Sequence, residues 1–129
     1  MPAGPIPRLR RLCLALPEAT EVETWDTPTF RVRGKIFALV ATHEGAPAVW
    51  VKAPPGVQQM LVEAAPGRFF RPPYMGRAGW IGVVLAGRVD WDEVGALVRR
   101  SFMLVAPKRI ARGVAAQGEM GDRGGFPPP

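Results

Sequence analysis

The stretch Thr29-Phe30-Arg31-Val32-Arg33-Gly34-Lys35-Ile36-Phe37-Ala38 decides the fold. Phe30 and Val32 alternate with Arg31 and Arg33, and a period of two belongs to a strand with one apolar and one polar face. Arg33-Gly34 offers a tight turn because glycine tolerates a positive φ, and Lys35 to Thr42 reads as the return strand. A polar loop, His43-Glu44-Gly45-Ala46-Pro47, leads to Ala48 to Lys52, where Val49 and Val51 alternate with Trp50 and Lys52. Glu21 to Lys52 is therefore predicted to form an antiparallel meander.

Toward the N-terminus, Leu9, Leu12, Cys13 and Leu16 share one helical face, with Arg8, Arg10 and Arg11 largely off it and Pro17 closing the segment. Residues 1–7 hold three prolines and a glycine and read as a flexible lead-in. Toward the C-terminus, Pro54-Pro55-Gly56 opens a helix with Val57, Met60, Leu61 and Ala64 on one face, and Pro66-Gly67 ends it. Phe69 and Phe70 lead into a rigid Pro72-Pro73-Tyr74 turn, and Gly76 to Gly79 feeds a buried strand, Trp80 to Leu85. Asp90 and Glu93 have capping-box spacing at the start of a helix lined by Trp91, Val94, Val98 and Phe102, with Arg99 and Arg100 near its carbonyl end. Beyond Ile110 the chain turns to Gly, Ala and Pro, so residues 111–129 read as a disordered tail, and residues 113–129 as dispensable for stability. This leaves one domain over residues 8–110. Its expected core holds Leu9, Leu12, Leu16, Val32, Val49, Val51, Leu61, Val83, Val98 and Phe102.

A chain of 129 residues, 47% hydrophobic and 22% charged, suits a single globular domain. Its longest apolar runs, Ile36 to Ala41 and Ile81 to Ala86, fall far short of the ~20 residues of a membrane span. The N-terminus shows no secretory pattern, so a cytoplasmic location is expected. With one cysteine (Cys13, read as a buried hydrophobe), one histidine (His43, read as exposed) and one serine (Ser101), zinc sites and nucleophilic triads lack material. No enzyme, cofactor or metal is expected. Glu18, Glu21, Glu23 and Asp26 could attract a hard cation, but a solvated edge strand is the favoured reading. The net charge of +6 stays positive when residues 107–129 are set aside, which suits a polyanionic partner.

The strings Leu14-Ala15-Leu16-Pro17-Glu18, Phe30 to Ala38, Pro72-Pro73-Tyr74, Gly79-Trp80-Ile81 and Ser101 to Lys108, in this order and spacing, resemble the MmcQ/YjbR family of small bacterial proteins. The likeness covers about residues 8–110; Glu18 stands where a glycine is common, and Phe102 where a tyrosine often follows the serine. The resemblance implies an α+β two-layer sandwich of the YjbR/CyaY-like kind. A curved antiparallel sheet would carry helices on one face, in the order α-β-β-β-β-α-β-α. Members are often described as DNA-binding through a double-wing arrangement of the sheet and its hairpins, and no catalytic residues carry over. Frataxins, which share this architecture, bear an acidic ridge on the first helix, where this chain has Arg8, Arg10 and Arg11. Iron delivery is disfavoured.

Alternation places Arg31, Arg33, Trp50 and Lys52 on the face opposite Phe30, Val32, Val49 and Val51. Lys35 and Phe37 join them if the hairpin keeps its register, and Trp80 extends the face. Cations interleaved with flat rings suit phosphates and bases. Two other arrangements are open: residues after Met103 fold back to make the rings a second small core, or the face is merely solvated. The loop Arg71 to Gly79 adds Arg71, Tyr74 and Arg77, either as a phosphate clamp or, preferably, as a rigid connector with Tyr74 capping the core. The expectation is a non-enzymatic protein, monomer or weak homodimer, binding nucleic acid, DNA before RNA, with no membrane partner. Arg31, Arg33, Lys35, Trp50, Lys52, Arg71, Arg77 and Trp80 would form the site. The alternative is an adaptor that takes a protein or small ligand on the same concave face.

Overall fold

The computed structural model describes residues 4–121, with side chains through Val114. Helix α1 (Pro5–Leu14) precedes four strands, β1 (Ala19–Thr24), β2 (Thr27–Val32), β3 (Lys35–His43) and β4 (Ala46–Val51). Helix α2 (Val57–Ala64), strand β5 (Phe69–Phe70), a 3-10 turn (Met75–Ala78) and strand β6 (Ile81–Val84) follow. Helices α3 (Trp91–Val105) and α4 (Lys108–Gly121) complete the described chain. The strands form one antiparallel six-stranded sheet in the order β1-β2-β3-β4-β6-β5, an α+β fold.

The core is the expected one. Leu9, Val32, Val49, Val51, Val83, Val98 and Phe102 are buried in it, and Leu12, Leu16 and Leu61 pack against it half-buried. On α2 the inner face is Val57, Leu61 and Val62; Met60 points outward, 58% exposed. The Asp90 carboxylate accepts from the Glu93 amide at 3.1 Å and caps α3, whereas the Glu93 carboxylate pairs with Arg68 instead of returning to the cap.

Both ends of the expected domain need correction. Helix α1 begins at Pro5, inside the expected lead-in, because proline at a first helical position forfeits no hydrogen bond and Ile6 gains a place against the core. At the other end, part of the expected disordered tail is helix. Pro107, which cannot donate to a preceding turn, ends α3 with Ala106 extended (φ −70°, ψ 153°). The chain then resumes as α4, and Ile110 and Val114, one turn apart, enter the core beside α3. Residues 1–3 of the lead-in and 122–129 of the tail lie outside the described residues.

A bulge sets the phase of the central hairpin. Phe30 faces Ala38 but Arg31 faces Ile36, so Phe37 is an extra residue on β3. Its ring turns into the core, edge-on to Phe102 with centroids 5.2 Å apart, and not onto the open face with Lys35. Lys35 itself lies opposite Val32. The fully buried Ser101 hydroxyl on α3 donates to the Phe37 carbonyl at 2.5 Å and accepts the Lys52 amide at 2.9 Å. One side chain thereby joins the bulge, the end of β4 and the helix layer.

Candidate nucleic-acid interface

Residues directly opposite in an antiparallel pair share a face, so the ladder defines rows on the side away from α1 and α3. One row reads Val22, Thr29, Leu39, Trp50, Gly82, Phe70. The next begins Thr20, Arg31, Ile36 and continues toward Lys52 and Trp80, each one residue past the pair Val51–Ile81. Arg31 and Lys52 thus come to one end of the same face, two strand spacings or about 10 Å apart.

Arg31 is laid along the sheet by neutral acceptors. Its Nε donates to Thr29 Oγ1 at 3.2 Å, Nη2 to Thr24 Oγ1 at 2.9 Å and Nη1 to the Gly34 carbonyl at 3.3 Å. No carboxylate among the described residues neutralises it, nor does one pair with Lys52, Arg71 or Arg77. Three carboxylates take other arginines. Glu21 takes Arg10 at 2.7 Å, Glu93 takes Arg68, and Glu18 takes Arg33 through contacts of 2.6 and 3.2 Å. The Arg33 guanidinium holds the Glu18 carboxyl below the usual carboxylate range, chiefly through that hydrogen bond.

Arg33 therefore leaves the expected set. It sits in the turn with φ 52°, which breaks the strand alternation, and its charge is paired. Lys35 is exposed at the same tip, opposite Val32 and so on the other face from Arg31. Trp80, 7% exposed, has no free ring face for a base, and Trp50 is half-buried with its indole N–H enclosed and unpartnered among the described residues.

The rings on this face cover one another. Phe70 lies over Gly82, where a Cβ would come within 2.2 Å of the ring, so only glycine fits beneath it. His43, expected to be exposed, reaches across and stacks on Phe70 at 3.8 Å with the ring planes 7° apart. Leu39, Ala48 and Trp80 are buried on this face as well. The face is not closed by a fold-back after Met103, since Ile110 and Val114 join the core on the helix side.

The loop after β5 is rigid. Pro72 and Gly76 are buried, the Arg71 stem occupies the space where a Gly76 Cβ would stand, and Gln58 Nε2 donates to the Gly76 carbonyl at 2.9 Å and to that of Trp80. Arg71 and Arg77 are exposed on it. Tyr74 does not cap the core: it is 91% exposed. Sequence reasoning also passed over Trp25, 79% exposed at the β1–β2 tip, where Trp25 (φ 53°) and Asp26 (φ 60°) form the two-residue turn. The signal was the Trp-Asp pair between two threonines, obscured because tryptophan is not a usual turn residue.

Among the described residues no group of three or more His, Cys, Asp or Glu side chains is placed to hold a metal ion. Nor is any helix among them long and apolar enough to cross a membrane.

No curated protein matches this sequence. Among solved structures, the chain resembles protein DR2400 of Deinococcus radiodurans, described as a DUF419 domain. The TM-score is 0.71 and the identity 24%, over 85% of this chain and 87% of that one. It also resembles a DUF1801-family protein of Bacillus subtilis, with a TM-score of 0.50 and 17% identity over 75% of this chain and 73% of the other. Both likenesses concern the fold. The family model described as YjbR matches residues 14–104, from the last turn of α1 to the penultimate residue of α3, and so spans the meander, the bulge, the 71–79 loop and the serine that ties them; this chain belongs to the YjbR family.

Proposed function

We propose that this protein binds nucleic acid, DNA in the first place and RNA as the alternative, as a non-enzymatic protein of the bacterial cytoplasm. The site is the end of the open sheet face formed by Arg31 and Lys52, continued by Arg71 and Arg77 on the rigid loop. The observation that carries the reading is that Arg31 and Lys52 stand at one end of one sheet face, with Arg71 and Arg77 exposed on the adjoining loop, and none of the four has a carboxylate partner among the described residues; Arg10, Arg33 and Arg68 are paired, and other unpaired cations, such as Arg11 on α1, lie off that face. Unpaired cations gathered on one rim suit a chain of phosphates, whose counterions they displace. Trp50 contributes an edge at most, and Trp80 supports the strand end from beneath.

Fluorescence anisotropy of labelled DNA and RNA at increasing salt tests the reading. Changing Arg31 and Lys52 together to Ala should weaken binding by about tenfold or more at low salt and flatten the salt slope by about 0.7–0.9 for each phosphate no longer neutralised. Arg33→Ala should change little. Wild-type protein that binds no nucleic acid at low salt overturns the proposal, and the adaptor reading then takes its place.

A further inference from the structure

We infer that Tyr74 is a base-stacking residue and that the ligand of this rim is single-stranded nucleic acid, an inference that rests on the nucleic-acid reading above. The Tyr74 ring is 91% exposed, more than any other large apolar or aromatic side chain described. The backbone beneath it is unusual. Tyr74 has φ 65° and ψ −61°, and the Met75 amide donates to the Pro73 carbonyl at 2.7 Å, a γ-turn of the rare, strained hand. A tyrosine held so, on a loop fixed by buried Pro72, by the Arg71 stem over Gly76 and by Gln58, is presented outward rather than left loose. Strained residues kept in place by rigid surroundings concentrate at binding sites.

The charge around the ring names its partner. Arg71 and Arg77 stand three residues to either side on the same loop, exposed and without carboxylates among the described residues, so the ring is flanked along the chain by two phosphate-seeking groups. In a duplex the base faces are covered by their neighbours. A single strand offers them, and an aromatic ring beside a basic track is what stacks on them. The other rings near the cations cannot serve, because Trp80 is buried and Trp50 half-buried. Trp25, though exposed and next to the Thr24 hydroxyl that Arg31 reaches, stands at the β1–β2 tip, the other end of the sheet from Lys52 and the 71–79 loop.

The experiment compares a labelled oligothymidylate, and a mixed-sequence single strand with its own duplex, binding to wild type, Tyr74→Ala and Tyr74→Phe at several salt concentrations. The wild type should prefer the mixed-sequence single strand over its duplex by about tenfold or more, and Tyr74→Ala should lose about tenfold on single strands. Its salt slope should match wild type, because stacking displaces no counterions, and Tyr74→Phe should bind as wild type does. Thermal midpoints of both variants should not fall, which separates the loss of stacking from the loss of the fold. Equal wild-type affinity for single strand and duplex, or undiminished binding by Tyr74→Ala, overturns the inference while the nucleic-acid reading stands. A wild type that binds neither form overturns both.

Discussion

Cys13, on the inner side of α1, is a buried thiol, and burial first, with the nearby Glu21 carboxylate second, pushes its pKa up from 9.0 to about 12. The folded protein keeps the proton that the unfolded chain gives up from about pH 9, so the associated stability is complete below pH 9 and is lost as pH rises toward 12. Urea midpoints measured across that window should decline, and Cys13→Ala should flatten the decline while lowering stability throughout. An equal decline in the variant would assign the effect to other groups. Single positions also mark where reading by alternation ends. Arg31 and Arg33 look equivalent in a period of two, yet the φ of 52° at Arg33 turns it out of the strand and Glu18, fifteen residues away, captures it. Glu18 itself adopts φ 58°, a left-handed backbone that glycine takes more readily. The Arg33-Gly34 turn was legible, but the left-handed φ it gives Arg33 and a partner fifteen residues away are not written in a two-residue alternation.

Strands β2 and β4 and the starts of α2 and α3 were legible because each carries a clean period, a Pro-Pro-Gly opening or a cap. The bulge was not. Ile36-Phe37-Ala38-Leu39-Val40 is apolar throughout, so nothing in it fixes which residue is the extra one. Helix α4 was missed for the opposite reason: Ile110 and Val114 give the right spacing, but the glycines and alanines around them dilute it below a recognisable stripe. Val114 is only 3% exposed, so Val114→Ala should cost roughly 1–3 kcal/mol in chemical denaturation. Ending the chain at Arg112 should cost at least as much. A truncated protein as stable as the full chain would show that α4 contributes nothing to the core.

At the scale of the molecule, the candidate site was half legible. Its chemistry, cations beside rings on one strand face, followed from the residue types, whereas its boundary followed from long-range pairing that removed Arg33, buried Trp80 and brought the 71–79 loop beside Lys52. The Ser101 hydroxyl bears on how that site comes into being. Its bond to the Phe37 carbonyl spans 64 residues, while the four-stranded meander closes through short local turns. Contacts of such separation form late, after the local hairpins. Ser101→Ala should therefore leave the refolding arm of a chevron almost unchanged and speed unfolding, with a net loss of about 1–3 kcal/mol from the unpaired Phe37 carbonyl and Lys52 amide. Refolding slowed in proportion to the lost stability would place α3 in the nucleus instead. On a ribosome the same bond sets a schedule: the Lys52 amide cannot take its partner until residue 101 has been synthesised and has docked, so the candidate rim is completed only when most of the protein has emerged.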